Sequence, residues 1–232
     1  MLISSFDLLL YDPASFVRLT VLVMFALLTA ITIHEFSHSL IATVLGDGTS
    51  RGLGRLSLNP IRHLDPSGTV MMLVVGFGWG KPVPVNYQRL RGPLGITLVA
   101  AAGPLSNLAL AFLVAIPIKL GLLGWSAPGL YRTTYVLSGG MREALTDIAG
   151  VVIFFNVLLA VFNLIPLAPL DGSRVLGGLL PDSMAESYAR YERFGPLILL
   201  GIILADYLLG WGVLWTIMGP IISALISLAT GY

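Results

Sequence analysis

The chain has 232 residues, of which 56% are hydrophobic and only 11% are charged, and its formal net charge is +1. Roughly a quarter of the residues of a typical soluble domain are charged, so too few charges remain here to cover the surface of a soluble protein. The near-neutral charge and the lack of a basic tract argue against a nucleic-acid partner. The absence of cysteine excludes disulfides and thiolate metal sites. We therefore expect an all-α polytopic membrane protein, in which any metal is held by His, Asp, Glu or Asn.

The first apolar segment, residues 16–45, is long enough to cross a membrane and ends at Gly46-Asp47-Gly48. A membrane-spanning helix needs about 20 predominantly apolar residues. The segment contains the motif His34-Glu35-Phe36-Ser37-His38. If the helix enters the membrane near Ser15, His34 lies roughly 28 Å further along at 1.5 Å per residue. The motif is therefore predicted near the far end of its span.

The HExxH spacing of this motif is a zinc-protease signature. On a helix, His34 and His38 project from one face and can share a Zn²⁺ ion, and Glu35 can accept a proton from the water that zinc activates. Such polar groups are costly inside a membrane unless they face a polar interior and bind something. The sequence thus predicts hydrolytic chemistry inside a bilayer.

The connection after the first span contains an apolar stretch, residues 69–80, that is too short to span as a helix. We predict a short membrane-associated β-hairpin or re-entrant segment near residues 53–87. In this interpretation the Lys81–Asn86 run presents a strand edge to an extended substrate. An alternative is that the hairpin only closes the membrane boundary. The candidate substrate-binding residues of this segment are Gly78, Val83 and Val85.

The later apolar segments predict a protein of about five to six transmembrane helices. Further spans are expected at residues 94–120 and 147–168, and residues 194–230 can form two more with a break near Gly210-Trp211-Gly212. We expect a single membrane-embedded metalloprotease domain over residues 1–232. Its catalytic core covers about residues 16–180, and the spans in 194–230 are accessory.

The distribution of cations predicts the orientation. The 47–92 and 171–193 connections carry most of the Lys and Arg residues, whereas the 121–146 connection carries only Arg132 and Arg142. The positive-inside rule then places the two basic connections in the cytoplasm and the N-terminus outside.

The third protein ligand that a catalytic zinc typically has must come from elsewhere in the chain. Asp171 follows Pro166 and Pro169, which interrupt a helix, and it falls at the same predicted depth as His34. An alternative is a solvated Asp-Gly turn, and spacing alone does not decide between them. His63 lies in a polar loop, where a hydrogen-bonding role is favoured over ligation.

Three motifs together resemble the site-2 protease family of intramembrane zinc metalloproteases. They are His34–His38 in the first core span, Gly103-Pro104-Leu105-Ser106-Asn107 in the second, and the run from Asn163 through Pro166 and Pro169 to Asp171-Gly172. The stretches GRLSLNP, HLDPSGT and GWGKPVPVN resemble the compact prokaryotic branch, which lacks the PDZ and CBS domains of other branches. The likeness covers about residues 16–180.

The resemblance implies roles for individual residues. His34, His38 and Asp171 would bind Zn²⁺, and Glu35 would act as general base and later as general acid. Asn163 matches the asparagine proposed to hold the substrate carbonyl or the oxyanion. Asn107 matches a family position that we assign as a candidate substrate-binding residue, with hydrogen bonding between helices as the alternative.

The predicted function is regulated intramembrane proteolysis by a zinc metalloendopeptidase. Its partners would be transmembrane protein substrates and the lipid bilayer, and its location would be a prokaryotic plasma membrane with the active site near the cytoplasmic face. A metal or proton transporter could also use intramembrane His and Asp residues, but it would usually show inverted repeats, and none is apparent. An inactive substrate-binding scaffold is a third possibility, against which the intact Glu35 argues.

Overall fold

The computed structural model describes residues 6–74, 80–126 and 140–232. These ranges fold mainly into helices, as expected, and contain no strand. The α-helices are α1 (Phe6–Tyr11), α2 (Pro13–Val44), α3 (Thr49–Gly52), α4 (Pro66–Val74), α5 (Gly95–Lys119), α6 (Met141–Asn163), α7 (Asp171–Leu179), α8 (Asp182–Glu192), α9 (Gly195–Leu209) and α10 (Val213–Thr230). Two 3₁₀ helices, η1 (Pro60–Arg62) and η2 (Tyr87–Arg89), lie between α3 and α5.

Four of the described helices, α2, α5, α6 and α10, are long and apolar enough to cross a membrane. The first of them begins sharply, because Pro13 follows the N-cap residue Asp12, whose Oδ1 accepts a hydrogen bond from the Ser15 amide at 3.1 Å. Helix α9 has only 15 residues, or about 22 Å at 1.5 Å per residue, which is shorter than the roughly 30 Å hydrocarbon core.

The expected five to six spans are therefore not supported in the described chain. The predicted break between the last two helices is present, because Gly210 and Gly212 adopt left-handed φ angles of 65° and 64° that favour glycine. This break leaves the first half of residues 194–230 too short to count as a span by length.

Helix α5 lies at the centre of the bundle, in contact with α2, α6 and α7. Small side chains allow these close approaches: Ala111 and Ala115 of α5 are fully buried in one core cluster with Ile153 and Val157 of α6. On the other side, Ala26 of α2 is fully buried in a second cluster. Close packing through small residues is typical of helices in membranes, and it brings α2, α5 and α6 together around the site.

The β-hairpin predicted near residues 53–87 is not present in the described residues. The only pairing there is one antiparallel bridge between Leu64 and Gly80, and the chain otherwise forms short helices and an irregular segment. This segment, residues 81–86, is called the extended segment because its alternating prolines favour an extended backbone and Asn86 has extended φ and ψ angles. Proline lacks the amide donor that a strand ladder needs, and Pro82 and Pro84 interrupt the run after the bridge. The part of the re-entrant prediction on residues 75–79, including Gly78, lies outside the described residues.

Asp47 connects the end of α2 to the extended segment. Its buried carboxylate accepts hydrogen bonds from the backbone amides of Thr49, at 3.0 Å, and Asn86, at 2.7 Å. Burial raises the pKa of this carboxyl, but the hydrogen bonds from Thr49 and Asn86 outweigh that effect and the pKa lies below its ordinary value. The extended segment is thereby attached to the helix that carries the HExxH motif.

Candidate metal centre

The two histidines of the motif are buried on the face of α2 that packs against α5. Their rings lie edge to face with centroids 4.6 Å apart. Nδ1 of His38 lies 2.7 Å from the carbonyl oxygen of Val99. A carbonyl can only accept, so Nδ1 of His38 carries the proton, and Nε2 presents its lone pair to the site.

His34 is held by an asparagine of α5. Its Nδ1 lies 2.7 Å from Oδ1 of Asn107, and the amide nitrogen of Asn107 donates to the carbonyl of Ala30, at 3.0 Å, and to Oδ1 of Asn156, at 2.8 Å. Both acceptors require the NH₂ group on that side, so the oxygen of Asn107 faces His34. Nδ1 of His34 must then donate, and its Nε2 also presents a lone pair.

Asn156 of α6 completes this chain of hydrogen bonds. Its side chain is fully buried, and its amide nitrogen donates to the Val152 carbonyl one turn earlier, at 2.8 Å. This bond fixes the orientation of the Asn156 amide, so that its Oδ1 faces the amide nitrogen of Asn107. The sequence reasoning missed Asn156, although an asparagine inside the apolar run of α6 is a signal that could have identified it.

Asp171 reaches the two histidines from the start of α7. Its Oδ2 lies 3.0 Å from Nε2 of His34 and 3.3 Å from Nε2 of His38. This oxygen is buried and, apart from these two imidazole nitrogens, has no hydrogen-bond partner among the described residues. With both imidazoles neutral, two lone-pair nitrogens and a carboxylate oxygen converge on one point, which is unfavourable unless a proton or a metal cation lies between them. Within the described chain these three residues form a group able to hold a metal ion, with ligand atoms all within 4.8 Å.

Gly103 of α5 leaves room for this group. A Cβ atom added at Gly103 would lie 2.5 Å from Nε2 of His38 and 2.7 Å from Nε2 of His34. No side chain larger than hydrogen therefore fits against the converging ligand atoms. The donor set of two imidazoles and one carboxylate, together with this recess, suits a catalytic zinc.

Glu35 is half-buried beside the start of the extended segment. A Cβ added at Gly80 would lie 3.7 Å from its Oε1. The backbone there is fixed by the Leu64–Gly80 bridge and by the Lys81 amide, which donates to the His63 carbonyl at 2.8 Å. The Glu35 carboxylate therefore lies beside the point at which the extended segment begins.

His63 orders the loop and does not join the metal group. It is fully buried, and its Nε2 lies 2.6 Å from the carbonyl oxygen of Ser57. This is the hydrogen-bonding role that the sequence favoured.

The other predicted site residues are placed as follows. Asn163 is half-buried at the end of α6, where its amide nitrogen donates to the Leu159 carbonyl at 3.0 Å. Val83 and Val85 are half-buried in the extended segment. Their roles stay predictions. The oxygen and the amide nitrogen of the fully buried Asn107 both form hydrogen bonds with other residues of the chain. The geometry therefore favours hydrogen bonding between helices over substrate binding.

Comparison with known proteins identifies relatives over most of the chain. It is 36% identical over 219 residues to a Bacillus subtilis (strain 168) protein named putative zinc metalloprotease YwhC, and the match covers 91% of both chains. It is 28% identical over 205 residues to Mycobacterium tuberculosis (strain ATCC 25618 / H37Rv) putative zinc metalloprotease Rip2, covering 86% of this chain and 73% of that protein. No family model and no solved structure matched. The chain belongs to the site-2 protease family of zinc metalloproteases, and zinc is the metal that its His-His-Asp group suits.

Proposed function

We propose that this protein is an intramembrane zinc metalloprotease that hydrolyses peptide bonds within transmembrane segments of other membrane proteins. The observation that carries the proposal is the convergence of His34, His38 and Asp171 on one buried point next to Glu35, inside a bundle with four spanning helices. A protease acting on soluble peptides would have no need to bury its ligands among such helices.

His34, His38 and Asp171 would hold the Zn²⁺ ion. When bound, zinc lowers the pKa of a water molecule and polarises a carbonyl group. The two Nδ1 hydrogen bonds, to Asn107 and to the Val99 carbonyl, keep both histidines in the tautomer that binds metal.

Glu35 would move the proton. Its carboxylate accepts a proton from the attacking water as the new carbon–oxygen bond forms, and returns it to the leaving amine nitrogen as the carbon–nitrogen bond breaks. The products are a carboxylic acid and an amine, so the reaction consumes one water and needs no other reactant. Asn163 would donate a hydrogen bond to the substrate carbonyl, where negative charge develops.

The extended segment is a second element of the proposal, because a helical substrate must unwind before its carbonyl can be attacked. Between Lys81 and Asn86 the only backbone amides belong to Val83 and Val85, since the alternate positions are prolines. Neither amide donates to another described residue. Residues two apart in an extended chain face the same side, so these two amides can pair with one extended peptide.

The proposed orientation follows from charge. The connection between α2 and α5 carries six cations and two acids, and the positive-inside rule assigns such a connection to the cytoplasm. The proposal therefore places the active site near the cytoplasmic face of a prokaryotic plasma membrane.

The test compares the purified wild type with Glu35→Gln, using test substrates that contain one transmembrane segment. We expect the wild type to cleave and Glu35→Gln to be inactive while it retains its zinc. His34→Ala and Asp171→Ala should lose both zinc and activity. Equal cleavage by the wild type and Glu35→Gln would exclude the mechanism, and an unchanged zinc content in either ligand variant would exclude the metal assignment.

A further inference from the structure

A polar pocket of about 490 Å³ opens in the connection between α2 and α5. Its walls are the turn around Gly54, helix η1 and the extended segment after the bridge. Its lining includes three cations and two large apolar side chains: Arg55, Arg62, Lys81, Leu53 and Ile61. The proposed catalytic mechanism uses none of them.

The pocket walls are held by backbone contacts. Nη1 of Arg55 donates to the Arg62 carbonyl, and Nη1 of Arg62 donates to the Gly54 carbonyl at 2.8 Å. The Lys81 amide donates to the His63 carbonyl. The two arginines thus fasten the turn to η1, and the bridge fastens the extended segment to the same unit, so the three cations are assembled before any ligand arrives.

These cations have no partner of opposite charge among the residues that the structure describes. In the described part of the chain, no carboxylate lies within 4.0 Å of Arg55, Arg62 or Lys81. The neighbouring residues 75–79 read Val-Gly-Phe-Gly-Trp and contain no acid. The two acids of the connection, Asp47 and Asp65, accept hydrogen bonds from their own turns.

Arg55 makes the charge imbalance significant, because it is only 9% exposed. A guanidinium has five N–H donors, and the Arg55 side chain makes its single hydrogen bond to a described residue through Nη1. A largely buried cation without a counter-charge is unfavourable. An anion inside the pocket would compensate all three cations at once, and phosphate oxygens match guanidinium donors well.

We propose that this pocket binds the phosphate of an anionic phospholipid headgroup. The pocket also contains two large apolar side chains that are unusually exposed, Leu53 at 63% and Ile61 at 77%. A free inorganic anion gains nothing from such groups, whereas the glycerol and acyl portions of a lipid do. The connection joins two spanning helices, which is where headgroups lie, and basic pockets at this level are typical lipid-headgroup sites.

The experiment measures lipid retention by the full-length protein. Wild type is extracted from nanodiscs of phosphatidylcholine with a minor fraction of phosphatidylglycerol, and the lipids that remain bound are counted by native mass spectrometry. The pocket variant is Arg62→Gln/Lys81→Gln. The matched control is Arg51→Gln/Arg89→Gln, which removes the same charge from exposed residues of the same connection that do not line the pocket.

We expect the wild type to retain phosphatidylglycerol over phosphatidylcholine, and the pocket variant to bind it about 10- to 30-fold more weakly. The control should stay within about twofold of the wild type, since only screened surface charge is lost. An equal loss in both variants would reduce the effect to general surface charge and overturn the proposal. Displacement of the lipid by millimolar inorganic phosphate would overturn the proposal in favour of a free-phosphate site. If the pocket variant changed only the cleavage of substrates with acidic flanks, and not lipid retention, the pocket would be a peptide site.

Discussion

Gly103→Ala should disable the metal centre while leaving α5, the helix that contains Gly103, intact. The added Cβ would lie 2.5 Å from Nε2 of His38, whereas ordinary contacts begin at 3.4 Å. One or both groups must therefore move by about 0.9 Å, the difference between those distances. Zinc sites require ligand distances within about 0.2 Å of their ideal values. A displacement of this size cannot be absorbed without losing a ligand.

The expected loss of zinc affinity is at least about 100-fold, the upper end of the effect of removing a group that merely orients a ligand. Stability should change much less. Alanine favours a helix interior over glycine by about 1 kcal/mol, which offsets part of the roughly 1–3 kcal/mol that overpacking costs. The protein should therefore be purified folded but poor in zinc.

The assay measures the zinc content per chain after dialysis against chelators of increasing affinity. It also measures the temperature of thermal unfolding in detergent. Gly201→Ala in α9 is the matched control, because its added Cβ would meet nothing within 4 Å in the described chain beyond its own chain neighbours and helix backbone. The zinc content and activity of this variant should equal those of the wild type. Wild-type zinc affinity in Gly103→Ala would refute the reasoning, since it would mean that α5 does not lie against the ligand atoms as described.

Three further predictions concern positions around the centre. Asn156→Leu should weaken zinc binding about 10-fold by removing one acceptor that orients Asn107, whereas Asn156→Asp, which keeps an oxygen there, should lose less in the same chelator titration. Val85→Pro keeps the extended backbone but removes an amide donor, so it should raise KM for a transmembrane substrate well above the value for Val85→Ala. For Asp47 the folded-state pKa is below its ordinary value of 3.8, so its contribution to stability is full above that value and is lost as pH falls through the lowered pKa. Hydrogen exchange should show the Asn86 amide losing protection only as the pH falls below 3.8.

Each of these outcomes can be contradicted directly. Equal zinc affinity in the two Asn156 variants would show that the acceptor is irrelevant. Equal KM values for the Val85 variants would remove the amide from substrate binding. An Asp47→Asn protein whose Asn86 protection follows the same pH dependence as the wild type would assign that transition to another group.

The metal group was predictable in part because two of its signals are local. The helical spacing pairs His34 with His38. The two prolines before Asp171 end a helix at the matching depth, but spacing alone left a solvated turn as the alternative, and the family resemblance selected Asp171. The structure brings all three together. Residues whose role depends on packing between helices were harder to assign, because nothing in a single sequence states which helix each amide faces. Asn156 was missed, and Asn107 was given substrate binding as its candidate role with hydrogen bonding between helices as the alternative.

The number of spans and the hairpin were predicted less well, for a related reason. Hydropathy made residues 194–230 look long enough for two crossings, but the break consumed part of that length and left α9 with 15 residues. The hairpin or re-entrant segment near residues 53–87 was predicted because the apolar stretch 69–80 is too short to span as a helix. In the described chain, Pro82 and Pro84 limit pairing to the single Leu64–Gly80 bridge.

The order of the zinc ligands along the chain sets a constraint on biogenesis. His34 and His38 are synthesised early, but Asp171 follows more than a hundred residues later, after α5 and α6. The nascent protein therefore cannot form its three-ligand group until its third spanning helix has been inserted and packed. Metal binding by all three residues therefore requires completed assembly. Under the proposed function, a chain stalled before α7 would have no hydrolytic activity toward the membrane proteins around it.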